Sequence, residues 1–128
     1  MIPIGTRGEE TITVTEDLAI NFLGVEGGRV LATPWLIMHL EMTARNSIKP
    51  IVGAEHDSVG TDVSIKHLAA TPIGMRVTFR SEVISVEDRR VRFKVEAFDE
   101  KEKVSEGTHE RAVINIAKFA ARLQQKRG

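Results

Sequence analysis

Apolar and polar residues alternate with two different periodicities along this chain. In the second half, Val77, Phe79 and Val83 alternate with charged or hydroxyl residues, and residues 91–97 repeat the same pattern. Alternation with a period of two is typical of a strand with one buried face. The segments predicted as strands on this basis are residues 10–15, 58–68, 76–83, 91–97 and 104–117, and residues 118–128 read as a short helical or frayed basic tail.

A clear helical spacing of apolar residues occurs once, after a glycine-containing loop that ends near Leu31. Apolar residues recur at positions 36, 37, 40, 44 and 48, which places them on one side of a helix. Thr33 is a suitable N-cap and Pro34 suits the first helical position. We expect this helix to end before Pro50, because proline lacks the backbone N–H that a helix interior needs.

The order of elements is strand, loop, helix and then four strands joined by short connections. This order lacks the alternating βαβ pattern of a parallel sheet and predicts an α+β fold, an antiparallel five-stranded sheet wrapped around one long central helix. At 128 residues we expect a single domain over residues 1–128. One helix covers only one face of such a sheet, so we also expect a homo-oligomer.

Composition and missing motifs argue against several kinds of site and partner. The chain has 18 basic and 18 acidic residues, which does not favour a nucleic-acid-binding protein, although residues 63–128 carry fourteen of the basic ones. It has no cysteine, no HExxH pair, no glycine-rich phosphate loop and no G-x-S-x-G turn, so we expect no metal site and no thiol nucleophile. No segment resembles a signal peptide or a membrane span, and we therefore expect a cytoplasmic protein without a membrane partner.

Three polar residues interrupt otherwise apolar or structural patterns: Thr33 at the helix start, Glu41 within the helix, and His67 on the apolar face of a strand. Each also has a purely structural explanation, as a cap, a solvated carboxylate and a core histidine respectively. A carboxylate and an imidazole can act as general bases or as nucleophiles. Because Thr33 and Glu41 are eight residues apart, a helix separates them by about 12 Å along its axis, so we expect them to flank a substrate rather than to bond directly.

Three longer runs are shared with a known family. ATPWLIMHLEMTA (32–44), SVGTDVSIKHLAATPIGMRV (58–77) and EGTHERAVINIAKF (106–119) resemble the fluoroacetyl-CoA thioesterase group of the hot-dog thioesterase superfamily. The likeness extends from about residue 10 to the end of the chain. It departs at NFLGVEGGRVLA (21–32), which is shorter than the family's lid and keeps only Phe22 as an aromatic. The resemblance therefore carries thioesterase chemistry but does not specify the acyl group.

The resemblance implies a hot-dog fold and an acyl-CoA thioesterase with Thr33, Glu41 and His67 as catalytic residues. It also implies that the Gly60 N–H and Arg111 contact the substrate, and that the enzyme is a homodimer or tetramer with the substrate at a subunit interface. No cofactor is implied, since coenzyme A is part of the substrate. Trp35 and Met38 near the helix start suggest a small or medium acyl pocket.

Several alternatives remain open. Glu41 either attacks the thioester or activates a water molecule, while Thr33 and the Gly60 N–H stabilise the oxyanion. A hot-dog enoyl-CoA hydratase or dehydratase would use an Asp–His pair, for which Asp62 and His67, five apart on a strand, are the candidates. In a non-catalytic acyl-CoA-binding module Thr33, Glu41 and His67 would be cap, surface and core residues. The coenzyme A phosphates need cationic partners. The candidates for that role are Arg76, Arg80, Arg89, Arg90, Arg92, Lys118, Arg122 and Lys126.

Overall fold

A computed structural model describes residues 1–128 as a five-stranded antiparallel sheet wrapped around one long helix. The elements are β1 (Arg7–Thr13), α1 (Thr33–Val52), β2 (His56–His67), β3 (Arg76–Glu87), β4 (Arg90–Asp99), β5 (Lys103–Asn115) and α2 (Ile116–Arg127), with single 3-10 turns at Glu16–Leu18 and Glu26–Gly28. The strand order in the sheet is β1-β3-β4-β5-β2, so β2 and β1 form its two edges. The predicted α+β architecture is confirmed.

The core lies between α1 and the concave face of the sheet. Buried helix residues follow the spacing predicted from the sequence, and the alternating apolar residues of β3 and β4 pack against them. The residues that carry this packing are Leu36, Leu40, Ala44 and Ile48 of the helix and Val77, Phe79, Val83, Val91, Phe93, Val95 and Ala97 of the sheet. No helix of the chain combines the length and the apolar character needed to cross a bilayer.

Helix α1 continues through Pro50 to Val52, so the predicted end before Pro50 is wrong. Pro50 lacks the N–H that would bond to the Asn46 carbonyl oxygen, but the helix ends two residues later, so only this one bond is lost. Lys49 then extends past the proline, and its Nζ donates to the carbonyl oxygens of Gly53 and His56, each at 2.8 Å. This contact holds the end of the helix against the start of β2.

Strand boundaries at both ends of the chain also differ from the prediction. β1 begins at Arg7 rather than at residue 10, because its pairing with β3 and not its own apolar pattern sets its length. β5 ends at Asn115 rather than at Ala117. The Asn115 side chain accepts a hydrogen bond from the Lys118 N–H and so starts α2, a twelve-residue helix with no buried residue.

β2 contains a bulge at Thr61, between Gly60 and Asp62 in the pairing with β5. A bulge inserts one unpaired residue and so reverses which residues face the core. Ser58 is buried before the bulge, whereas Ile65 packs against the core after it. Val59 therefore does not share a face with Val63 and His67, contrary to the uninterrupted alternation expected from the sequence.

Candidate functional site

Glu41 lies on the flank of α1 that faces β2, one position after the buried Leu40. Its Oε1 sits so close to Gly60 that a Cβ added there would lie 2.5 Å from it. The side chain is 32% exposed, so it is neither fully solvated nor part of the core. The absence of a side chain at position 60 is what lets the carboxylate rest against the strand.

Two buried side chains of β5 face the same carboxylate. Arg111 Nη1 is 3.6 Å from Glu41 Oε1, and His109 Nε2 is 3.9 Å from it. Arg111 is also held by β2, because its Nε donates to Ser58 Oγ and its Nη2 donates to the Ser58 carbonyl, both at 2.7 Å. Burial lowers the pKa of Arg111, and the opposite charge of Glu41 acts against that shift. The cluster thus pairs a buried cation with a half-exposed anion.

Thr33 and His67 form a second site at the other end of β2. The Thr33 hydroxyl and His67 Nδ1 are 2.7 Å apart and hydrogen-bonded. Thr33 is the first residue of α1, and Ala32 occupies the cap position without any side-chain cap. The prediction that Thr33 caps the helix is therefore wrong, because its hydroxyl is turned towards the strand instead.

The imidazole of His67 is only partly satisfied within the chain. Its Nε2 is buried and has no hydrogen-bond partner. Burial lowers the pKa of His67, and the adjacent backbone of Ala69 opposes this only in part, so the ring is neutral at pH 7. Buried polar atoms are nearly always paired, and an unpaired one at a cavity is a natural contact for a ligand or another chain.

The two sites lie in separate cavities of one chain. Glu41, Gly60 and His109 line a cavity of about 340 Å³, and Thr33 and His67 line another of about 400 Å³ together with Ile20, Phe22, Val30, Leu31 and Leu68–Ala70. Along α1 the two sites are about 12 Å apart at 1.5 Å per residue. One chain therefore brings Thr33 to His67 and Glu41 to Gly60 and Arg111, but does not bring the two groups together.

The sequence reasoning missed His109 and Ser58, which hold the cluster around Glu41. The pattern of β5 could have indicated His109, because alternate residues of this strand face the core. These residues are Ser105, Gly107, His109 and Arg111. Asp62 and His67 lie on opposite faces of β2, so the Asp–His pair of a hydratase does not form within the chain. Of the cations considered for phosphate binding, Arg89, Lys118 and Arg122 line one cavity, whereas Arg76, Arg80 and Arg92 pair with carboxylates.

Comparison with known proteins identifies the relatives of this arrangement. The family model described as fluoroacetyl-CoA-specific thioesterase matches residues 14–117. The fluoroacetyl-CoA thioesterase of Streptantibioticus cattleyicolor is 39% identical over 97 residues, which cover 76% of this chain and 70% of that protein.

Solved structures agree with the sequence comparison. The fluoroacetyl-CoA thioesterase FlK superimposes with a TM-score of 0.88 at 32% identity, with 98% of both chains covered. A thioesterase superfamily member from Thermus thermophilus gives 0.88 at 29% identity, over 99% of this chain and 94% of that one. A hot-dog-like protein from Thermanaerovibrio acidaminovorans, 23% identical, gives 0.89 over 98% and 93% and supports the fold alone. The chain therefore has the hot-dog fold and belongs to the fluoroacetyl-CoA-specific thioesterase family.

Proposed function

We propose that this protein is an acyl-CoA thioesterase that hydrolyses a small or medium acyl-CoA to the free acid and coenzyme A. The observation that carries the proposal is the Glu41 carboxylate, held against Gly60 beside Arg111, in a chain whose relatives are named thioesterases. A carboxylate in this setting can attack a thioester carbonyl or remove a proton from water. The reaction needs no cofactor, because coenzyme A is itself part of the substrate.

We infer that the complete active site forms between two subunits. Within one chain the Thr33–His67 pair and Glu41 lie too far apart to contact the same acyl group. β2 is an edge strand of twelve residues, and an unpaired strand of this length readily adds another strand. A second copy paired along β2 would supply the missing half of each site.

The bulge in β2 indicates how the two copies would align. Gly60 and His67 both face α1, and Ser64 lies midway between them when Thr61 and Asp62 are counted as one position. A two-fold axis through Ser64 would set Gly60 opposite His67 of the partner subunit. Glu41 of one subunit would then lie near Thr33 and His67 of the partner subunit, and two equivalent sites would result.

Exposed apolar side chains beside this edge support the same association. Trp35, Met38 and Met42 are 41%, 45% and 37% exposed on the outer side of α1, and Val63 is 38% exposed on β2. Apolar residues clustered near one strand edge are typical of a surface that another chain covers. A dimer is therefore the smallest unit with complete sites, and a tetramer of such dimers would retain them.

Five residues take part in the proposed chemistry. Glu41 either forms an acyl-enzyme anhydride or activates a water molecule, and in both routes water adds to the carbonyl carbon and the coenzyme A thiolate leaves with a proton. The Thr33 hydroxyl and the Gly60 N–H stabilise the oxyanion, and His67 orients the reacting groups. Arg111 holds the Glu41 carboxylate and contacts the substrate.

The test is thiol release from a panel of acyl-CoA substrates that includes acetyl-, fluoroacetyl-, propionyl- and butyryl-CoA. Glu41→Gln should lower kcat by about a thousandfold or more at unchanged folding, since it removes the base but keeps the shape. Glu55→Gln, at an exposed carboxylate, is the matched control and should retain the wild-type rate. Thiol release by Glu41→Gln at the wild-type rate would exclude Glu41 from the mechanism.

An enoyl-CoA added to the panel separates the other two candidate functions. A hydratase changes the absorbance of an enoyl-CoA without releasing thiol. A binding module does neither, although its melting temperature rises with the ligand.

A further inference from the structure

His109 is a buried histidine of β5 for which the proposed mechanism provides no role. It is 2% exposed, and its ring stacks on Phe93 of β4 with the centroids 6.1 Å apart. Its Nδ1 lies 2.8 Å from the backbone carbonyl oxygen of Asp62, next to the β2 bulge. A carbonyl oxygen can only accept, so Nδ1 carries the proton and Nε2 of the neutral ring is an acceptor.

That acceptor faces Arg111. The Nη1 of Arg111 is 3.1 Å from His109 Nε2, and the same Nη1 is 3.6 Å from Glu41 Oε1. The other side of the guanidinium is held by the two hydrogen bonds to Ser58. Arg111 is thus fixed between two strands, with the nitrogen that His109 binds turned towards the carboxylate.

We propose that His109 is a positioning residue for Glu41, acting through a neutral Nε2 lone pair that holds Arg111 Nη1 beside the carboxylate. The inference rests on the proposed function, because it assigns a role in setting the geometry of the group that performs the hydrolysis. His109 does not touch the substrate. Its effect is transmitted by one hydrogen bond to Arg111 and one ion pair from Arg111 to Glu41.

The charges around His109 favour the neutral ring that this role requires. Burial lowers the pKa of His109 and Arg111 adds to the effect, while the Asp62 backbone, Glu41 and the Asp62 carboxylate oppose it. The titratable groups that act on the ring are Glu41 from α1, Asp62 from β2 and Arg111 from β5. Arg111 is in turn influenced by Asp57 of β2 and Arg45 of α1. Protonation would turn Nε2 into a donor 3.9 Å from Glu41 and would place two positive charges side by side.

Two isosteric substitutions separate the two hydrogen bonds of His109. In His109→Gln the amide oxygen reaches the position of Nε2 and can still accept from Arg111, but the donor to Asp62 is lost. In His109→Asn the amide nitrogen reaches the position of Nδ1 and can still donate to Asp62, but the acceptor for Arg111 is lost. Each variant therefore removes one bond and serves as the control for the other.

We expect His109→Gln to retain kcat within about threefold and His109→Asn to lose about 30-fold in kcat with an unchanged KM, because a carboxylate displaced by a fraction of an ångström reacts poorly. A purely structural role would lower the melting temperature without separating the two kcat values. Equal kcat for the two variants, or a loss confined to KM, would overturn the positioning role.

The ring itself provides a readout that does not depend on activity. Two-bond ¹H–¹⁵N correlation spectra at about pH 8 should show His109 protonated at Nδ1 and bare at Nε2. A proton on Nε2 would overturn the inference even in an active enzyme. If the wild-type protein releases no thiol from any acyl-CoA, the proposed function fails and the inference falls with it, which differs from the case of an active enzyme with two equal variants.

Discussion

Gly60→Ala, at a single position of β2, should lower activity while leaving the stability of the fold nearly unchanged. A methyl group there would lie 2.5 Å from Glu41 Oε1, 3.3 Å from His109 Cε1 and 3.6 Å from Arg111 Nη1. Only the first of these distances is far below contact, so the carboxylate must retreat by about 0.9 Å to reach the 3.4 Å at which ordinary contact begins. The atom that moves is the end of a flexible side chain, so the backbone can stay where it is.

The expected kinetic effect follows from that displacement. A misplacement of about 1 Å at a reacting group costs roughly a hundredfold in rate, or about 2.7 kcal/mol of transition-state stabilisation. The free energy of unfolding should change by less than about 1 kcal/mol, because alanine also restricts the unfolded chain. Thiol release at saturating acyl-CoA measures the first quantity, and urea denaturation measures the second.

Gly107→Ala is the matched control for this experiment. A Cβ at position 107 would lie 2.0 Å from the backbone oxygen of Ser64 and 2.7 Å from Ile65 Cα, neither of which can move without shifting β2. This variant should therefore unfold at a clearly lower urea concentration. Wild-type kcat in a folded Gly60→Ala protein would refute the reasoning, because it would mean that the position of the Glu41 carboxylate does not limit the reaction.

Three further outcomes are expected. Ser64→Cys should form an intersubunit disulfide under mild oxidation in this otherwise cysteine-free chain, since directly opposed strand residues have the Cα separation that a disulfide needs. A variant that runs only as a monomer on a non-reducing gel after oxidation would contradict the proposed axis. Thr33→Val should lower kcat by about a hundredfold while Thr33→Ser retains it, and equal rates would remove the hydroxyl from the mechanism. Burial lowers the pKa values of His39, His67 and His109 below 6.5, so these histidines bind protons more readily in the unfolded chain than in the folded one. The melting temperature should therefore fall as the pH drops from about 7 to about 5 and stay constant just above 7. A melting temperature that does not change below pH 6.5 would contradict this.

Period-two alternation predicted the core faces of β3 and β4 because those strands pair on both sides, and their register shifts, after Val83 and after Ala97, fall beyond the alternating stretches. Val77, Phe79 and Val91 occupy the positions that the pattern assigned to them. Features that depend on partners distant in the chain were not accessible. The length of β1 is set by its pairing with β3, and the end of α1 is held against β2 by the bonds from Lys49 to Gly53 and His56.

The candidate site was predicted residue by residue from shared motifs and not from local pattern. Local pattern favoured a structural explanation for Thr33 and His67 and did not decide for Glu41, and only the fold reveals that Thr33 bonds to His67. Arg111 was predicted as a substrate contact, and the structure adds its contact with Glu41. His109 was overlooked because a single histidine in a strand is unremarkable until the neighbouring strand brings Asp62 to its Nδ1.

The bulge at Thr61 lets Gly60 and His67 share one face of β2 although they are seven positions apart. In a regular strand an odd separation places two side chains on opposite faces, and the one extra residue restores an even spacing of paired positions, from Arg111 opposite Gly60 to Ser105 opposite His67. Deletion of Thr61 would therefore straighten this edge of the sheet, while Gly60 and His67 kept both their partners in β5 and their common face. An insertion that left the bulge in place would instead turn the imidazole away from Thr33, so this stretch tolerates the loss of one residue better than the gain of one.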